Sequence, residues 1–310
     1  MKQSFISVVA PVFNEAQTIR EFFTRVTQTL KNFSFELVLV DDGSHDLSWQ
    51  IIQELAKSNK SIRAIRLARN FGHQAALTAG LEHAKGDAVI IIDSDLQDPP
   101  EIILEMIEKW KEGFDVVYGV RKERKGESLF KKTTASLFYH FFRSTSQINA
   151  PLEAGDFRLL SRNVVNALKQ LPERVRFLRG LTSWVGFKQT GVYYTRDPRF
   201  SGETKFSIVR MLRFALDGIT SFSALPLQMA IYVGFFTTLI SILVIFYSLY
   251  IKLFSHDVVP GWTSLLSVVV FLGGVQLLMI GVIGEYISRI YQEVKQRPVY
   301  IVEQTIEANG

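Results

Sequence analysis

The chain has 310 residues, which is enough for one large domain with an appendage or for two modest domains. It contains no cysteine, so a disulfide framework and every thiolate metal or redox site are excluded. The formal net charge is +5. Because the lysines and arginines are scattered along the chain, we expect no nucleic-acid partner. We expect instead that the positive charge faces anionic lipid.

Apolar and amphipathic stretches alternate in the N-terminal part of the chain. Strands are predicted at Phe5–Ala10, Phe35–Val40, Ile62–Leu67, Val89–Ile92 and Val116–Val120, and helices at Thr18–Leu30, Leu47–Lys57 and Gln74–Ala84. This alternation predicts an α/β fold with a largely parallel sheet. No G-x-G-x-x-G motif follows any strand, which argues against a dinucleotide-dependent dehydrogenase.

Several residues have the positions of helix-end signals. Asp46 is expected to cap the second helix, and Gly86 suits the C-cap of the third. The segment after the fourth strand also reads as a helix start, with Asp98 at N-cap, Pro99 at N1 and Glu101 at N3. Asp98 is therefore expected to be a cap and not a ligand.

The rest of the chain is less regular. Residues 121–132 are basic and polar, and residues 130–142 are aromatic-rich and expected to be helical. A strand is predicted at Gly155–Leu160, a helix at Arg162–Leu171 and a late strand at Val192–Thr195. The amphipathic stretch Phe206–Phe222 is expected to lie in a membrane interface.

Two uncharged stretches, Leu227–Ile251 and Trp262–Gly284, each exceed the roughly 20 residues needed to cross a bilayer. Basic residues flank the outer ends of this hairpin, whereas its connecting segment has a single lysine. The positive-inside rule therefore predicts an inner (plasma) membrane protein with two spans and with both termini and the N-terminal domain in the cytoplasm. Glycines in the second span offer close helix contacts, and we expect a homo-oligomer, with a tetramer as one candidate.

Acidic residues follow three of the predicted strands: Glu15 after the first, Asp41 and Asp42 after the second, and Asp93 and Asp95 after the fourth. The carboxyl ends of parallel strands meet at one edge of a sheet, so we expect these acids to line one crevice. Carboxylates accept hydrogen bonds from base N–H groups and ribose hydroxyls, and a D-x-D pair suits Mg²⁺ or Mn²⁺ held together with substrate phosphate. The pattern predicts a nucleotide site with a divalent metal on the diphosphate.

Six motifs together resemble those of the family 2 glycosyltransferases of the dolichyl-phosphate-mannose-synthase type. They are Pro11-Val-Phe-Asn-Glu15, Val40-Asp-Asp-Gly-Ser44, Arg69-Asn-Phe-Gly-His-Gln74, Asp93-Ser-Asp-Leu-Gln-Asp-Pro-Pro-Glu101, Gly155-Asp-Phe-Arg-Leu159 and Ser201-Gly-Glu-Thr-Lys205. With the two spans and the tail Gln296-Arg-Pro-Val-Tyr300, the chain is most similar to the bacterial polyprenyl-phosphate (bactoprenol) glucosyltransferase branch.

The resemblance implies a domain order. A cytoplasmic GT-A domain, which is Rossmann-like with a mainly parallel sheet, is expected at residues 1–205. Amphipathic interfacial helices would follow at 206–224, a two-helix transmembrane hairpin at 225–289 and a cytoplasmic tail at 290–310.

The resemblance also implies roles for individual residues. The base and ribose would be surrounded by Pro11, Phe13, Glu15, Val40 and Asp42. Asp93 would contact the ribose or the sugar, Ser94 would belong to the same nucleotide-sugar site, and Arg121 would reach the donor phosphates or sugar. Asp95 and Gln97 would hold the metal, and Arg199 and Lys205 would hold the phosphates of donor and lipid acceptor. Phe13 stands where family members often have Tyr, so only stacking is expected from it.

The implied reaction is an inverting transfer of a hexose from a nucleotide sugar to polyprenyl (undecaprenyl) phosphate at the cytoplasmic leaflet, with UDP-glucose as the favoured donor. A metal together with Arg and Lys neutralises the charge that develops on the leaving nucleoside diphosphate. Besides Asp95, Arg199 and Lys205, the catalytic set includes Asp156, which matches the family's candidate base and is expected to be a base or a positioner. The alternative for Asp156 is a structural acid paired with Arg158.

Other interpretations stay open at this point. The alternative donors are GDP-mannose and a UDP-aminoarabinose derivative, with the same chemistry. A processive polysaccharide synthase is disfavoured because no Q-x-x-R-W motif follows the acid pair. Two alternatives come from other functional classes. They are a transporter of the lipid-linked sugar and a catalytically silent scaffold that binds the nucleotide sugar. The five histidines show no metal-binding spacing, and a hydrogen-bonded structural role is expected for His73.

Overall fold

The computed structural model describes residues 4–121, 154–174, 176–196, 225–254 and 261–307. They belong to two compact units, one formed by Met1–Phe214 with Arg297–Gly310 and the other by Ala215–Gln296. The first unit contains the sheet, and the second contains two long apolar helices. The predicted aromatic-rich helix at 130–142, the amphipathic helix Phe206–Phe222 and most of the predicted basic loop lie outside the described residues.

One sheet in the first unit is formed by eight strands of the described residues. They are β1 (Phe5–Val12), β2 (Ser34–Asp41), β3 (Ile62–Leu67), β4 (Ala88–Ile91), β5 (Val116–Arg121), β6 (Ala154–Ser161), β7 (Gln189–Tyr194) and β8 (Val302–Ile306), in the order β7-β5-β6-β4-β1-β2-β3-β8. Strands β4, β1, β2 and β3 run parallel, as do β5 and β7. Strand β6 is antiparallel to β4 and β5, and β8 is antiparallel to β3. The predicted α/β fold with a mainly parallel GT-A sheet is confirmed.

Six helices accompany the described part of this sheet. They are α1 (Ile19–Thr29), α2 (Ser48–Ser58), α3 (His73–His83), α4 (Ile103–Lys111), α5 (Arg162–Gln170) and α6 (Leu178–Trp184), and a 3-10 turn at Pro100–Ile102 leads into α4. Helix α1 buries Ile19, Phe22 and Val26, the spacing of one helical face. Helix α3 packs so closely on the sheet that a Cβ built on Gly80 would lie 2.2 Å from Val9 Cγ1.

The core lies on both faces of the central strands. All four residues of β4 are buried, as is almost all of β1 and β2. Strands covered on both faces lose the apolar–polar alternation of a half-exposed strand, which is why continuous apolar runs predicted them correctly.

Two helix-end predictions have different outcomes. Helix α2 begins at Ser48 with Leu47 as its N-cap, so Asp46 lies one residue before the cap position, although its Oδ1 accepts a hydrogen bond from the Ser48 N–H at 2.9 Å. Helix α3, however, ends with Ala84 as its C-cap, so Gly86 does not have the predicted role. A Cβ at Gly86 would lie 2.5 Å from the Ser7 backbone nitrogen, and this close backbone approach requires a glycine.

Helix α6 and strand β8 were not predicted. Strand β8 adds the C-terminal segment to the edge of the sheet, where the Ala68 N–H donates to the Ile301 carbonyl at 2.9 Å. Arg66 Nε lies 3.3 Å from Glu303 Oε2, and Arg63 is ion-paired with Glu307. Strand β8 therefore covers the edge that β3 would otherwise expose.

The second unit contains α7 (Leu225–Phe254) and α8 (Trp262–Val294), which contact each other. Both are long and apolar enough to cross a membrane, over Leu227–Tyr247 and Phe271–Val294, and neither stretch is buried within the chain. Such a continuous apolar surface must be shielded from water, and the described residues of this unit do not shield it. The predicted membrane orientation and homo-oligomer stay predictions.

Candidate active site

The carboxyl ends of β1, β2 and β4 are joined by direct hydrogen bonds. The Asp42 N–H donates to the Val12 carbonyl at 2.8 Å, which ties the end of β2 to that of β1. Ser94 Oγ donates to the Pro11 carbonyl at 2.9 Å, which ties the segment after β4 to β1. The acids that follow these three strands are therefore brought to one edge of the sheet. The Ser94 hydroxyl is used in this link.

Around the predicted base and ribose region, Pro11 and Val40 are buried and Phe13 is half-buried. The ring of Phe13 makes an edge-on contact with His45, with ring centroids 6.3 Å apart. Glu15 accepts a hydrogen bond from Thr18 Oγ1 at 3.2 Å through its carboxylate. A half-buried aromatic ring beside buried apolar residues offers the stacking surface that the sequence predicted for a base.

Asp42 binds the loop that precedes α3. Its carboxylate accepts hydrogen bonds from the N–H groups of Phe71, at 2.7 Å, and Gly72, at 2.9 Å. Burial raises the pKa of Asp42, and these two N–H groups oppose the rise. Gly43 makes this contact sterically feasible, because it has a φ of +68° and a Cβ there would lie 2.6 Å from the Arg69 carbonyl carbon.

Asp41, the neighbour of Asp42, faces the interior. It is fully buried, its Oδ1 accepts from the Ser44 N–H at 3.3 Å, and its Oδ2 lies 3.5 Å from Arg66 Nε. Of the two acids after β2, Asp41 therefore stabilises the turn through Ser44 and pairs with Arg66.

The segment after β4 makes a tight turn at Asp95, Leu96 and Gln97. Leu96 is buried and has a φ of +59°, a strained conformation for a residue with a side chain. The Gln97 N–H donates to Asp95 Oδ1 at 3.1 Å, which fixes the Asp95 carboxylate above the turn. Strain of this kind persists where the surrounding structure holds it, and it is common at functional sites.

The donor set at this turn fits a divalent cation bound together with a substrate. Burial raises the pKa of Asp95, and the negative charge of Asp93 raises it further, so a cation there would relieve both effects. Within the described residues, no three His, Asp or Glu side chains form a metal cluster by themselves. Mg²⁺ uses one or two carboxylates and completes its shell with substrate phosphate and water, so Asp95 with Gln97 is a sufficient protein contribution.

Asp93 is paired with His73 at the start of α3. His73 Nε2 lies 2.9 Å from Asp93 Oδ1, and the two side chains are 43% and 30% exposed. Burial alone would lower the pKa of His73, but the Asp93 carboxylate raises it to about 9. The expected hydrogen bond of His73 is present, and the pair adds a cation next to an acid predicted to contact the donor.

Asp156, on β6, is paired with Arg179 on α6. The distances are 3.3 Å from Arg179 Nε to Asp156 Oδ1 and 3.0 Å from Nη2 to Oδ2. The alternative pairing with Arg158 is wrong, because Arg158 Nη2 donates to the Gly155 carbonyl at 2.8 Å and Nη1 contacts Thr182. Burial by itself raises the pKa of Asp156, but Arg179 and then His73 hold it below its ordinary value.

The prediction that Asp98 caps a helix is wrong. The N-cap of the 3-10 turn is Pro99, and no side chain caps it. Asp98 is only 1% exposed, and it accepts a hydrogen bond from the Tyr194 hydroxyl at 2.5 Å. Two arginines, Arg121 at 3.5 Å and Arg196 at 3.4 Å, lie against the same carboxylate. A buried carboxylate gains more from these partners than from the amide ends of a short turn.

Arg179, Tyr194 and Arg196 were missed as members of this region, because no local pattern shows which distant side chains pack beside the acids. Arg199 and Lys205, predicted to bind phosphates, lie outside the described residues. The predicted residues that the structure brings together are thus Asp42, Asp93, Asp95, Arg121 and Asp156, whose charges act on one another through His73 and the arginines.

Both the N-terminal part and the C-terminal helices of the chain match families of known proteins. The family model "Glycosyl transferase family 2" matches residues 7–169, and the model "GtrB C-terminal hairpin" matches residues 225–290. The glycosyltransferase YkcC of Bacillus subtilis is 48% identical over 96% of this chain and 93% of its own. The SfII prophage-derived bactoprenol glucosyl transferase of Shigella flexneri is 45% identical over 98% of this chain and 99% of its own. The prophage bactoprenol glucosyl transferase homolog of Escherichia coli is 42% identical over 96% and 98%.

Proposed function

The chain belongs to glycosyl transferase family 2, and we propose that it transfers glucose from UDP-glucose to undecaprenyl phosphate. The observation that carries the proposal is the likeness, along nearly the whole chain, to proteins named bactoprenol glucosyl transferases. Bactoprenol is a polyprenol, and a polyprenyl phosphate is an acceptor that an enzyme with a membrane hairpin can reach.

On the donor side, we assign the base to the surface of Pro11, Phe13 and Val40, with Glu15 and Asp42 near the ribose. We assign Asp93 and Ser94 to the ribose or the sugar. The ion pair with His73 keeps Asp93 ionised and fixed in direction, so that it can accept hydrogen bonds from sugar hydroxyls.

We assign the divalent cation, Mg²⁺ or Mn²⁺, to Asp95 and Gln97. When bound, such an ion neutralises charge on the diphosphate leaving group. The protein prepares this place by holding the Asp95 carboxylate with the Gln97 N–H and the strained turn at Leu96.

The reaction is a single displacement. An oxygen of the acceptor phosphate forms a bond to the anomeric carbon, the bond from that carbon to the diphosphate oxygen breaks, and the nucleoside diphosphate leaves with the electron pair. The anomeric configuration is inverted. A polyprenyl phosphate is already largely anionic near neutral pH, since its second pKa is about 6, and a strong general base is not required.

Asp156 is better suited to positioning than to strong proton abstraction. A two-bond contact with Arg179 holds its carboxylate in one orientation, and its lowered pKa makes it a weak base. We assign it to orienting the acceptor phosphate and the sugar through the Arg179 guanidinium, and Arg199 and Lys205 to the phosphates themselves.

The location that we propose is the inner (plasma) membrane, with the catalytic domain on the cytoplasmic leaflet. The cysteine-free chain offers a direct test of this orientation. A single cysteine at Asp257, in the segment between the spans, should react with a membrane-impermeant maleimide in intact cells, and one at Asn309 should react only after lysis. The opposite labelling pattern would contradict the orientation.

The test of the activity uses the full chain in membranes or detergent with undecaprenyl phosphate and Mg²⁺ or Mn²⁺. Labelled UDP-glucose, GDP-mannose and a UDP-aminoarabinose derivative are offered one at a time, with the acceptor omitted as a control. We expect one lipid-linked sugar, formed from UDP-glucose and with inverted anomeric configuration. Product from another donor alone would correct the donor, and no product from any donor would favour a transporter or a scaffold.

A further inference from the structure

Two arginines meet at one buried carboxylate beside the acid pair. Asp98 is 1% exposed, whereas the side chains of Arg121 and Arg196 are 36% and 23% exposed. One buried negative charge on Asp98 therefore faces two positive ones. A structural ion pair needs one arginine, so the second has positive charge available for another anion.

We propose that Arg121 and Arg196 form a binding pair for the donor diphosphate, called here the arginine pair, and that Asp98 and Tyr194 position it. This rests on the proposed function, because it assumes a nucleoside diphosphate donor. Arg196 is then a phosphate-binding residue with no motif signal, and Asp98 and Tyr194 are positioning residues.

The arginine pair lies beside the turn that we assign to the cation, because both arginines contact Asp98, which directly follows Asp95, Leu96 and Gln97. Burial raises the pKa of Asp95, and Arg196 is among the groups that oppose the rise. Burial also acts to raise the pKa of Asp93, His73 lowers it, and Arg121 contributes to the lowering. Each arginine is thus electrostatically close to one member of the Asp93 and Asp95 pair, which is where a diphosphate with its cation would lie.

The free hydrogen-bonding capacity of the arginine pair suits phosphate. Arg121 uses Nε toward the Tyr194 hydroxyl at 3.3 Å and Nη2 toward Asp98 at 3.5 Å. Arg196 Nε is buried and forms an ion pair with Asp98 but no hydrogen bond. A guanidinium has five N–H donors in a planar fork, and phosphate oxygens match that geometry.

Strand pairing and two glycines place the arginine pair next to Asp98. Strands β5 and β7 pair so that Arg121 and Tyr194 lie opposite each other. A Cβ on Gly119 would lie 2.7 Å from Tyr194 Cε1, and one on Gly155 would lie 2.8 Å from Arg121 Nη2. Glycine at these two positions gives room for Tyr194 and for the Arg121 guanidinium to reach Asp98.

Tyr194 acts as a fixed donor to Asp98. It is 2% exposed, and its ring packs edge-on against Phe157 with ring centroids 5.7 Å apart. Burial and the neighbouring Asp98 carboxylate raise the pKa of Tyr194, so the hydroxyl keeps its proton and donates at every working pH. The Tyr194 hydroxyl and Arg196 Nε contact Asp98 Oδ1, and Arg121 Nη2 contacts Asp98 Oδ2.

The test compares Arg196→Gln and Tyr194→Phe with the control Arg20→Gln. Arg20 lies on α1 and forms an exposed ion pair with Glu54 of α2. Affinities of the full chain for UDP, GDP and UMP are measured by calorimetry, and Michaelis constants are measured for donor and acceptor separately. We expect Arg196→Gln to weaken UDP binding and raise the donor KM by about tenfold or more, because a hydrogen bond to a charged group is lost. UMP affinity and acceptor KM should change little.

Tyr194→Phe keeps the ring that packs on Phe157 and removes the hydroxyl. It should weaken UDP more than UMP, by a smaller factor than Arg196→Gln, without lowering the unfolding temperature by more than a few degrees. A merely structural tyrosine would leave the ratio of UDP to UMP affinity unchanged. Arg20→Gln should match the unmodified protein.

The outcomes separate this proposal from the proposed function. If Arg196→Gln binds UDP as tightly as the unmodified protein, or alters only the acceptor KM, the arginine-pair proposal is wrong, whereas the proposed function is not contradicted. If the unmodified protein binds UDP but transfers no sugar, the function is wrong and the binding data still decide on the arginine pair. Failure of the unmodified protein to bind UDP or GDP would overturn both.

Discussion

Arg179 holds Asp156 through two parallel contacts, at 3.3 Å and 3.0 Å, although the two residues lie on different elements and are 23 positions apart. The same carboxylate had a closer candidate in Arg158, which the structure uses elsewhere. This ion pair decides the protonation state of the acid that the family resemblance offers as a base, and it leads to the first prediction.

Arg179→Gln should move the acidic limb of the pH–rate profile to higher pH. Burial raises the pKa of Asp156 and Arg179 is the largest opposing influence, so the loss of Arg179 raises that pKa. Activity that needs the ionised Asp156 is then lost at a higher pH than in the unmodified enzyme. Glucose transfer to undecaprenyl phosphate across pH measures this, with Arg20→Gln as control, and superimposable profiles would contradict it.

His73→Asn should flatten the dependence of stability on pH. The pKa of His73 is raised from 6.5 to about 9, so the stabilisation from its pair with Asp93 is fully present below pH 6.5 and is lost as pH rises through about 9. We therefore expect the unmodified protein to lose thermal stability over that window, and the variant to lose less. His83→Asn on the same helix is the control, and equal slopes for all three proteins would refute the prediction.

Asp95→Asn should abolish turnover without harming the fold. We expect a loss of at least about a hundredfold, the scale seen when one group that stabilises developing charge is removed. Because burial raises the pKa of Asp95, removal of its charge should leave the unfolding temperature in metal-free buffer equal or higher.

Any stabilisation of the protein by Mg²⁺ or Mn²⁺ with UDP should also disappear in Asp95→Asn. Thermal unfolding with and without these ligands measures it, with the exposed Glu105→Gln as a matched control. Undiminished stabilisation by metal and UDP in the variant would show that the cation binds elsewhere.

Gly80→Ala should destabilise the catalytic unit by about 1–3 kcal/mol, the usual cost of overpacking a core. The new methyl group would lie 2.2 Å from Val9 Cγ1 and 3.3 Å from Val40 Cγ2, where α3 packs on β1 and β2. Val9→Ala provides a test of this cause, because it removes the colliding atom. The double variant should be more stable than the sum of the two single effects predicts, and strict additivity would argue against the collision.

Deletion of residues 302–310 should lower the stability of the sheet and favour aggregation. It removes β8, exposes the β3 edge and takes Glu303 and Glu307 away from Arg66 and Arg63. We expect a loss of a few kcal/mol, at about 1 kcal/mol for each ladder hydrogen bond. Deletion of 308–310 alone leaves the strand intact and is the control, and equal unfolding temperatures for the two deletions would contradict the prediction.

The sequence by itself determined the elements whose signals are local. Continuous apolar runs predicted β1 to β5 within a few residues, because strands covered on both faces need apolar residues at every position. The acids Asp42, Asp93 and Asp95 were recognisable because they directly follow such runs. The helices α7 and α8 were recognisable because each contains an uncharged apolar stretch long enough to cross a membrane.

Only the tertiary structure decided which charges meet. Asp98 fits a helix cap by position, but Tyr194, 96 residues away, takes its carboxylate because the pairing of β7 with β5 brings it there. Asp156 pairs with Arg179 of an unpredicted helix, and β8 joins an edge strand more than 230 residues earlier in the chain. Such partners are set by packing between distant segments, and a buried charge takes the partner that packing brings within reach, whatever lies beside it in the sequence.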